Sequence, residues 1–412
     1  MSDLTTAVDT GPARFGNTES RFGGVAKTFH WLTALLILTM IPLGIVAQYW
    51  PYDTSEALAV KADLFSLHKT LGLVTFVVAL LRIAWAIVQP RPALLPAGSR
   101  AQTFAAETVH FALYTALVLV PLSGWIHHAA STGFAPIWWP FGQTLPFVPQ
   151  SVAVADAFAG LHFVFNIVLV AALALHIGGA LKHHVIDGDA TLRRMMPGTC
   201  ELPPALERAT GHAAPAATAA AVWSLAVVIG LTVGLSGERS SAVQAELEAV
   251  SSEWVVQEGT LAITVQQLNQ PVTGQFADWT AAIAFDEEAR DGVHGQVDVT
   301  VSVPSLTLGS VTTQALAADF LNAGTFSTAT FSGPILAADD GYVVDGVLTL
   351  VGQEVPLSLP FALEVDGDTA TATGTVAIDR RDFGMGATYQ DEATVGFTVD
   401  VSIGVTATRG GQ

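Results

Sequence analysis

The chain has 412 residues, 51% of them apolar and only 13% charged, against roughly 25% charged in an ordinary soluble protein. That composition excludes intrinsic disorder and argues against an all-soluble protein. The single cysteine, Cys200, excludes an intramolecular disulfide framework, a Cys-ligated zinc or iron–sulfur site and a CxxCH haem attachment. Charge is divided unevenly. Residues 1–237 hold 12 basic and 12 acidic residues, whereas residues 238–412 hold 5 and 24 and so carry the whole net charge of −19. Such acidity argues against a nucleic-acid partner for the second part.

Five stretches reach the roughly 20 mostly apolar residues that a membrane span needs. They run from about Phe29 to Trp50, His68 to Val88, Thr108 to His128, Phe158 to Leu181 and, standing apart, Ala217 to Leu235. Pro42 and Pro121 lie inside spans and predict kinks. The polar stretch before Phe29 argues against a signal peptide. Basic residues set the orientation. Arg14, Arg21 and Lys27 precede span one, Arg91 and Arg100 follow span two, and Lys182, Arg193, Arg194 and Arg208 follow span four. The loop after span one has only Lys61 and Lys69, and residues 129–157 have no Lys or Arg. The N-terminus is therefore expected in the cytoplasm, with span five exporting everything after about Gly237. The expected divisions are a cytoplasmic tail (1–28), a four-helix membrane domain (29–198), a linker with Pro203, Pro204 and Pro215 (199–215), a fifth transmembrane helix (216–237) and a periplasmic domain (250–409).

Ionisable residues inside spans are costly and mark function by default. Spans one to four each open with a histidine, namely His30, His68, His110 and His162, and His176 follows His162 by fourteen residues. Fourteen residues make almost four whole helical turns, so both rings share a face about 21 Å apart along the axis. Opposite span directions then put His68 at the depth of His162 and His30 at the depth of His176. Two bis-histidine pairs of this kind suit two non-covalently held b-type haems. His110 competes with His30 or hydrogen-bonds a haem propionate or quinone. His127, His128, His183 and His184 sit at span ends, where an interfacial role is the default.

The segments KTFHW (27–31), LHKTLG (67–72), YTALVLVPLSGW (114–125), WWPFGQTLPFV (138–148) and LHIGGALKHHVIDGDATLRRMMP (175–197) resemble the bacterial cytochrome b561 family. The resemblance implies a four-helix bundle with two b haems on His30, His68, His162 and His176, exchanging electrons with ubiquinone. It also implies polar residues near haem propionates or quinone at Arg82, Lys182 and His183, although Arg82 also suits snorkelling toward the cytoplasmic face. One type in this family oxidises superoxide and reduces quinone. A fifth span is outside the family pattern.

From about Ser251 the pattern turns to period two. Val297, Val299, Val301 and Val303 alternate with polar residues, as do Phe361, Leu363 and Val365, and Phe397, Val399, Val401, Ile403 and Val405. Asp291–Gly292, Asp340–Gly341, Asp345–Gly346 and Asp366–Gly367 are turn signals. The pattern predicts a closed antiparallel barrel with an apolar interior, and such a barrel more often binds than catalyses. GQFADWTAAIAFDEE (274–288), ADFLNAGTFSTATFSG (318–333), VDGVLTLVGQEVPLSLPF (344–361) and IDRRDFGMG (378–386) resemble YceI-like, lipocalin-type periplasmic domains. That likeness implies an elongated channel for polyisoprenoid or quinone-like lipids. Gln266 and Gln267 depart from the more basic or histidine-bearing pattern expected at that strand. Phe320, Phe326, Phe331 and Phe383 are channel or core candidates, and Arg380, Arg381 and Asp382 are candidates for head-group contacts or a surface salt bridge.

The expected whole is a multi-pass inner-membrane dihaem b-type cytochrome, fused through its fifth helix to an isoprenoid-binding barrel. It would move electrons between the quinone pool and an unidentified periplasmic partner. One rival is a superoxide oxidase. Another is a non-redox lipid-binding protein whose bundle serves only as anchor.

Overall fold

The computed structural model describes residues 15–18, 20–92, 99–131, 134–198, 212–236, 247 and 252–410. Arg14, Cys200, Pro203, Pro204, Arg208, Gly237 and most of the expected linker lie outside the described residues. The described residues divide into two compact units, one drawn from 1–48, 64–130 and 137–237, the other from 49–63, 131–136 and 238–412.

Five helices are long and apolar enough to cross a membrane. They are α1 (Gly24–Tyr49), α2 (Ser55–Val88), α3 (Arg100–Ala130), α4 (Val152–Val185) and, after the short α5 (Thr191–Met195), α6 (Ala213–Ser236). The expectation of five apolar helices is met, and helical structure continues through Pro42 and Pro121. At 34 residues each, α2 and α4 are about 51 Å long and overreach a hydrocarbon core of roughly 30 Å. His68 therefore lies thirteen residues inside its helix rather than at its start. Large apolar side chains such as Leu35, Val77, Phe163, Leu175 and Leu225 remain exposed on the helix surfaces, as lipid-facing residues do.

The core of the first unit joins Ile37, Ala79, Leu117, Val120, Val164 and Phe165. The fifth long helix does not stand apart. Trp223 and Ala226 of α6 belong to this core, and the Trp223 ring meets Phe165 of α4 edge-on at 5.2 Å. Small residues bring the two backbones together, because a Cβ on Gly160 would lie 2.3 Å from the Gly230 carbonyl oxygen. Close approach at small residues is the usual basis of helix association in lipid, where no hydrophobic force acts between helices.

The second unit holds one ten-stranded antiparallel sheet. Its strands are β1 (Trp254–Gln267), β2 (Gln270–Phe276), β3 (Trp279–Arg290), β4 (Val293–Ser302), β5 (Leu306–Thr307), β6 (Thr328–Ala338), β7 (Gly341–Leu350), β8 (Gln353–Asp366), β9 (Thr369–Asp379) and β10 (Val395–Arg409). The hydrogen-bonded order is β3-β4-β6-β7-β8-β9-β10-β1-β2-β5. The lipocalin-like β fold is as expected, but the ladder is a curled half-barrel with β3 and β5 as its ends. Side chains bridge β1 toward β3, where Trp254 Nε1 donates to the Phe285 carbonyl at 3.3 Å. A short helix, α7 (Thr312–Leu316), lies between β5 and β6.

Three of the four Asp-Gly signals make hairpin turns. Asp345–Gly346 does not, because it lies inside β7. There the β6–β7 ladder skips from Phe331–Ser332 to Ile335, and Gly346 lets the Phe331 ring cross the backbone. Two tight turns carried no Asp-Gly signal. Leu268 and Asn269, at φ 51° and 58°, join β1 to β2, and Val351 and Gly352, at 51° and 73°, join β7 to β8.

Arg380 corrects a sequence expectation. It is 3% exposed and touches neither solvent nor a carboxylate. Nε donates to Gly396 O at 3.0 Å, Nη1 to Met385 O at 2.7 Å and Gly386 O at 2.9 Å, and Nη2 to Tyr389 O at 2.6 Å and Val395 O at 3.2 Å. Those five bonds use all five guanidinium N–H groups, so no donor remains for a ligand. Arg380 instead ties the loop after β9 to the start of β10. Arg381 makes the surface salt bridge, at 2.5 Å to Asp379, whose carboxyl it holds below the usual range.

Arg380→Met removes the donors from five clustered carbonyls, each unsatisfied buried group costing about 1–3 kcal/mol before relaxation. Net destabilisation of the second unit by about 3–5 kcal/mol is expected, seen as a lower urea midpoint in the intact chain, while Arg381→Met changes it by less than about 1 kcal/mol.

Candidate functional site

Histidines from all four of the first four long helices lie inside the first unit, at two levels. At one level are His30 of α1, His110 of α3 and His176 of α4. The ring centres of His30 and His176 are 6.2 Å apart, with planes at 59°. Those of His110 and His176 are 5.1 Å apart and edge-on. Arg82 of α2 reaches this level, its Nη2 donating to His30 Nδ1 at 3.3 Å and its guanidinium lying 5.5 Å from the Tyr114 ring centre. Arg82 therefore faces the histidines rather than snorkelling away. Beyond this level the chain closes over the helix end. Trp31 Nε1 donates to Met195 O at 2.8 Å, Lys27 Nζ to Met196 O at 2.9 Å, and Arg194 Nη2 to Ser20 O at 2.8 Å.

At the other level are His68 of α2 and His162 of α4, within electrostatic range of each other. His162 Nδ1 donates to the Val120 carbonyl at 2.9 Å, with Ser123 Oγ at 3.3 Å, which leaves Nε2 with its lone pair open. This is how a metal-binding imidazole is usually oriented by its other nitrogen. His68 is buried too, and its ring finds a backbone partner at Met40 of the preceding helix. Each ring lies against a glycine of the preceding helix. A Cβ on Gly44 would sit 2.8 Å from His68 Cε1, and one on Gly124 would sit 2.9 Å from His162 Cε1. Sequence reasoning did not single out either glycine or the Val120 carbonyl. The available signal was a proline followed within three residues by a glycine, Pro42 and Gly44 in one span and Pro121 and Gly124 in another, each one helix ahead of a histidine.

The histidines at helix ends have structural partners. His127 Nδ1 donates to Ala155 O at 2.8 Å, and buried His128 donates from Nε2 to Gln143 Oε1 at 2.9 Å. Lys182 and His183 turn to an acidic corner. Lys182 Nζ pairs with Asp187 at 2.7 Å, and His183 Nδ1 pairs with Asp189 at 2.7 Å and Asp187 at 3.0 Å. Burial pushes the Asp189 carboxyl up, but hydrogen bonds from Thr191 and His183 outweigh it and hold the group below its usual range. His183 lies two helical turns beyond His176 on the same face.

The half-barrel encloses two apolar cavities of about 240 and 130 Å³. Leu261, Val299, Phe331, Leu359 and Ile403 line both, so the two meet at a shared waist. Polar side chains collect at the far end of the larger cavity, at Gln266, Gln267 and Gln314 and the saturated Arg380. Of the four candidate phenylalanines, Phe320 and Phe331 line the cavities. Phe383 is buried in the core, and Phe326 packs against the Gly352 turn.

Comparison with known proteins assigns both units. Residues 21–198 match the family model described as prokaryotic cytochrome b561, and residues 251–407 match the YceI-like domain. Cytochrome b561 homolog 2 of Escherichia coli (strain K12) is 33% identical over 190 residues, covering 44% of this chain and 94% of that protein. The probable superoxide oxidase CybB of Yersinia pestis is 25% identical, covering 41% and 91%. Among solved structures, Burkholderia cenocepacia BcnA matches 36% of this chain and 96% of its own, at 28% identity and a TM-score of 0.34. The four histidine-bearing helices thus lie within the matched region, and the chain belongs to the cytochrome b561 family, with a YceI-like domain following its membrane helices.

Proposed function

We propose that the bundle is a dihaem b-type cytochrome that passes electrons between the quinone pool, in the form of ubiquinone, and a periplasmic partner. Its N-terminus lies in the cytoplasm and its half-barrel in the periplasm, as the distribution of Lys and Arg between loops requires. The half-barrel shelters an isoprenoid or quinone-type lipid in its apolar cavities. The observation that carries this reading is the pairing of histidines from different helices at two levels.

The residues present fit that cofactor. Imidazoles from different helices face one another at the first level, His30 and His176 with ring centres 6.2 Å apart and His110 and His176 at 5.1 Å. His30 and His176 would hold one haem, and His68 and His162 the other. Bound there, the haems supply reversible one-electron transfer. His162 presents Nε2 because Val120 holds its Nδ1 proton. Gly44 and Gly124 leave the space in which the His68 and His162 rings stand. Arg82 donates to His30 Nδ1 and would place a cation beside a haem held there. His110 is left edge-on beside His176, with Ala106 of its own helix as its backbone partner. Lys182 and His183, held by Asp187 and Asp189, remain available to a quinone at the helix end.

A second reading is favoured by one relative and one cluster. The Yersinia pestis protein carries the name probable superoxide oxidase, and Lys69, His127 and His128 gather near His68 and His162. In this reading superoxide gives up one electron, leaves as dioxygen, and quinone is the final acceptor.

Pyridine-haem quantitation on the purified chain is expected to give two haems. His162→Ala and Gly124→Leu should each lose one, His176→Ala the other, and His110→Ala neither. Loss of a haem in His110→Ala with both retained in His30→Ala would reverse the pairing, and absence of haem in the wild type would leave only a membrane-anchored lipid-binding protein. For the second reading, superoxide should reduce the protein within the mixing time, and quinone depletion should stop turnover. A decay no faster than spontaneous dismutation rejects it.

A further inference from the structure

The polar end of the larger cavity carries one unanswered acceptor. Gln267 is 4% exposed and lines the cavity. Its Oε1 is buried, and among the described residues nothing donates to it. A buried amide oxygen without a donor costs free energy, so a ligand able to supply a donor gains by entering.

Which amide atom lacks a partner follows from a hydrogen-bond relay within the second unit. Tyr389 is 2% exposed, and its hydroxyl donates to the Tyr52 carbonyl, which can only accept. The Tyr389 oxygen must then accept, and Gln314 Nε2 donates to it at 3.1 Å. That orientation turns Gln314 Oε1 toward Gln267, whose Nε2 donates to it at 3.4 Å. The Gln267 oxygen is thereby the amide atom left without a partner. Reversing the Gln267 amide would set its oxygen against Gln314 Oε1. Burial also pushes the Tyr389 phenol above its usual range, so it stays a donor at neutral pH.

We infer that the half-barrel selects isoprenoid lipids whose head carries a hydroxyl, because Gln267 Oε1 accepts that hydroxyl's proton in a hydrogen bond while Tyr389 and Gln314 fix the amide's direction. This rests on the lipid-binding reading above and adds its specificity. The same chemistry belongs to an isoprenyl alcohol and to a prenylated phenol such as a quinol head. A head bearing only ketone or ether oxygens places two acceptors face to face. The other polar groups at this end do not alter the preference. Arg380 has no free N–H, and Gln314 is held in the relay.

The test is binding of farnesol and of farnesyl methyl ether to the intact chain in detergent, with a prenylated phenol and its methyl ether as a second pair. Each hydroxyl compound is expected to bind about 10–100-fold more tightly than its ether. The tighter of the two hydroxyl compounds identifies the source. Gln267→Met should erase the difference while ether affinity stays, which also shows that the variant is folded. Tyr389→Phe should shrink the difference by freeing the amides to reverse. Equal binding of alcohol and ether to the wild type, with either affinity measurable, overturns the hydroxyl selection and leaves lipid binding intact. If none of the four compounds binds, the lipid-binding reading itself fails and the selection with it.

Discussion

A neutral imidazole inside an apolar bundle carries one N–H and one lone pair, and burial makes an unanswered partner for either costly. The rest of the first unit follows from that constraint. The Val120 carbonyl answers the N–H of His162 and leaves the lone pair facing inward. The Arg82 guanidinium answers His30 from the other side. His68, with Met40 as its backbone partner, stands in space that Gly44 of the preceding helix keeps open. Helices that only anchored a soluble domain would have no need of these rings, since an apolar side chain at the same places would pack without polar groups to satisfy.

The second unit obeys the same rule in a different solvent. Its interior is lined almost entirely by alternating valine, leucine, isoleucine and phenylalanine from facing strands, and its few interior polar groups are accounted for individually. Arg380 spends every N–H on backbone carbonyls. Gln314 and Tyr389 satisfy one another, and among the described residues the Gln267 oxygen and the Ser302 hydroxyl are the buried side-chain atoms of this unit left without a partner. Both units therefore combine an apolar enclosure with a small number of oriented polar atoms, which is the general form of a cofactor or lipid site.

Much of this was legible in the residues because it depends on period and length. Apolar runs announced the helices, alternation announced the strands, and the fourteen-residue interval from His162 to His176 put two rings on one face. What stayed hidden depends on contacts between distant segments. The Asp345–Gly346 pair reads as a turn in isolation, but Phe331 from the neighbouring strand needs the missing side chain at Gly346, so the glycine serves packing inside β7. Arg380 reads as a surface charge beside Arg381 and Asp382, yet the loop carbonyls that enclose it come from residues 385–396. His30 and His110 lie at one level beside His176, so depth along the helices did not separate them. Gly160 and Gly230 brought α6 onto α4, an association that apolarity alone does not encode.

Low-temperature electron paramagnetic resonance of the oxidised, purified chain tests the central claim most directly, since it reports the axial ligands and not only haem content. Two distinct low-spin ferric signals of bis-imidazole type are expected, the one lost in His162→Ala differing from the one lost in His176→Ala. A single signal, or a high-spin signal showing an iron with one histidine ligand, would contradict the pairing of histidines at two levels.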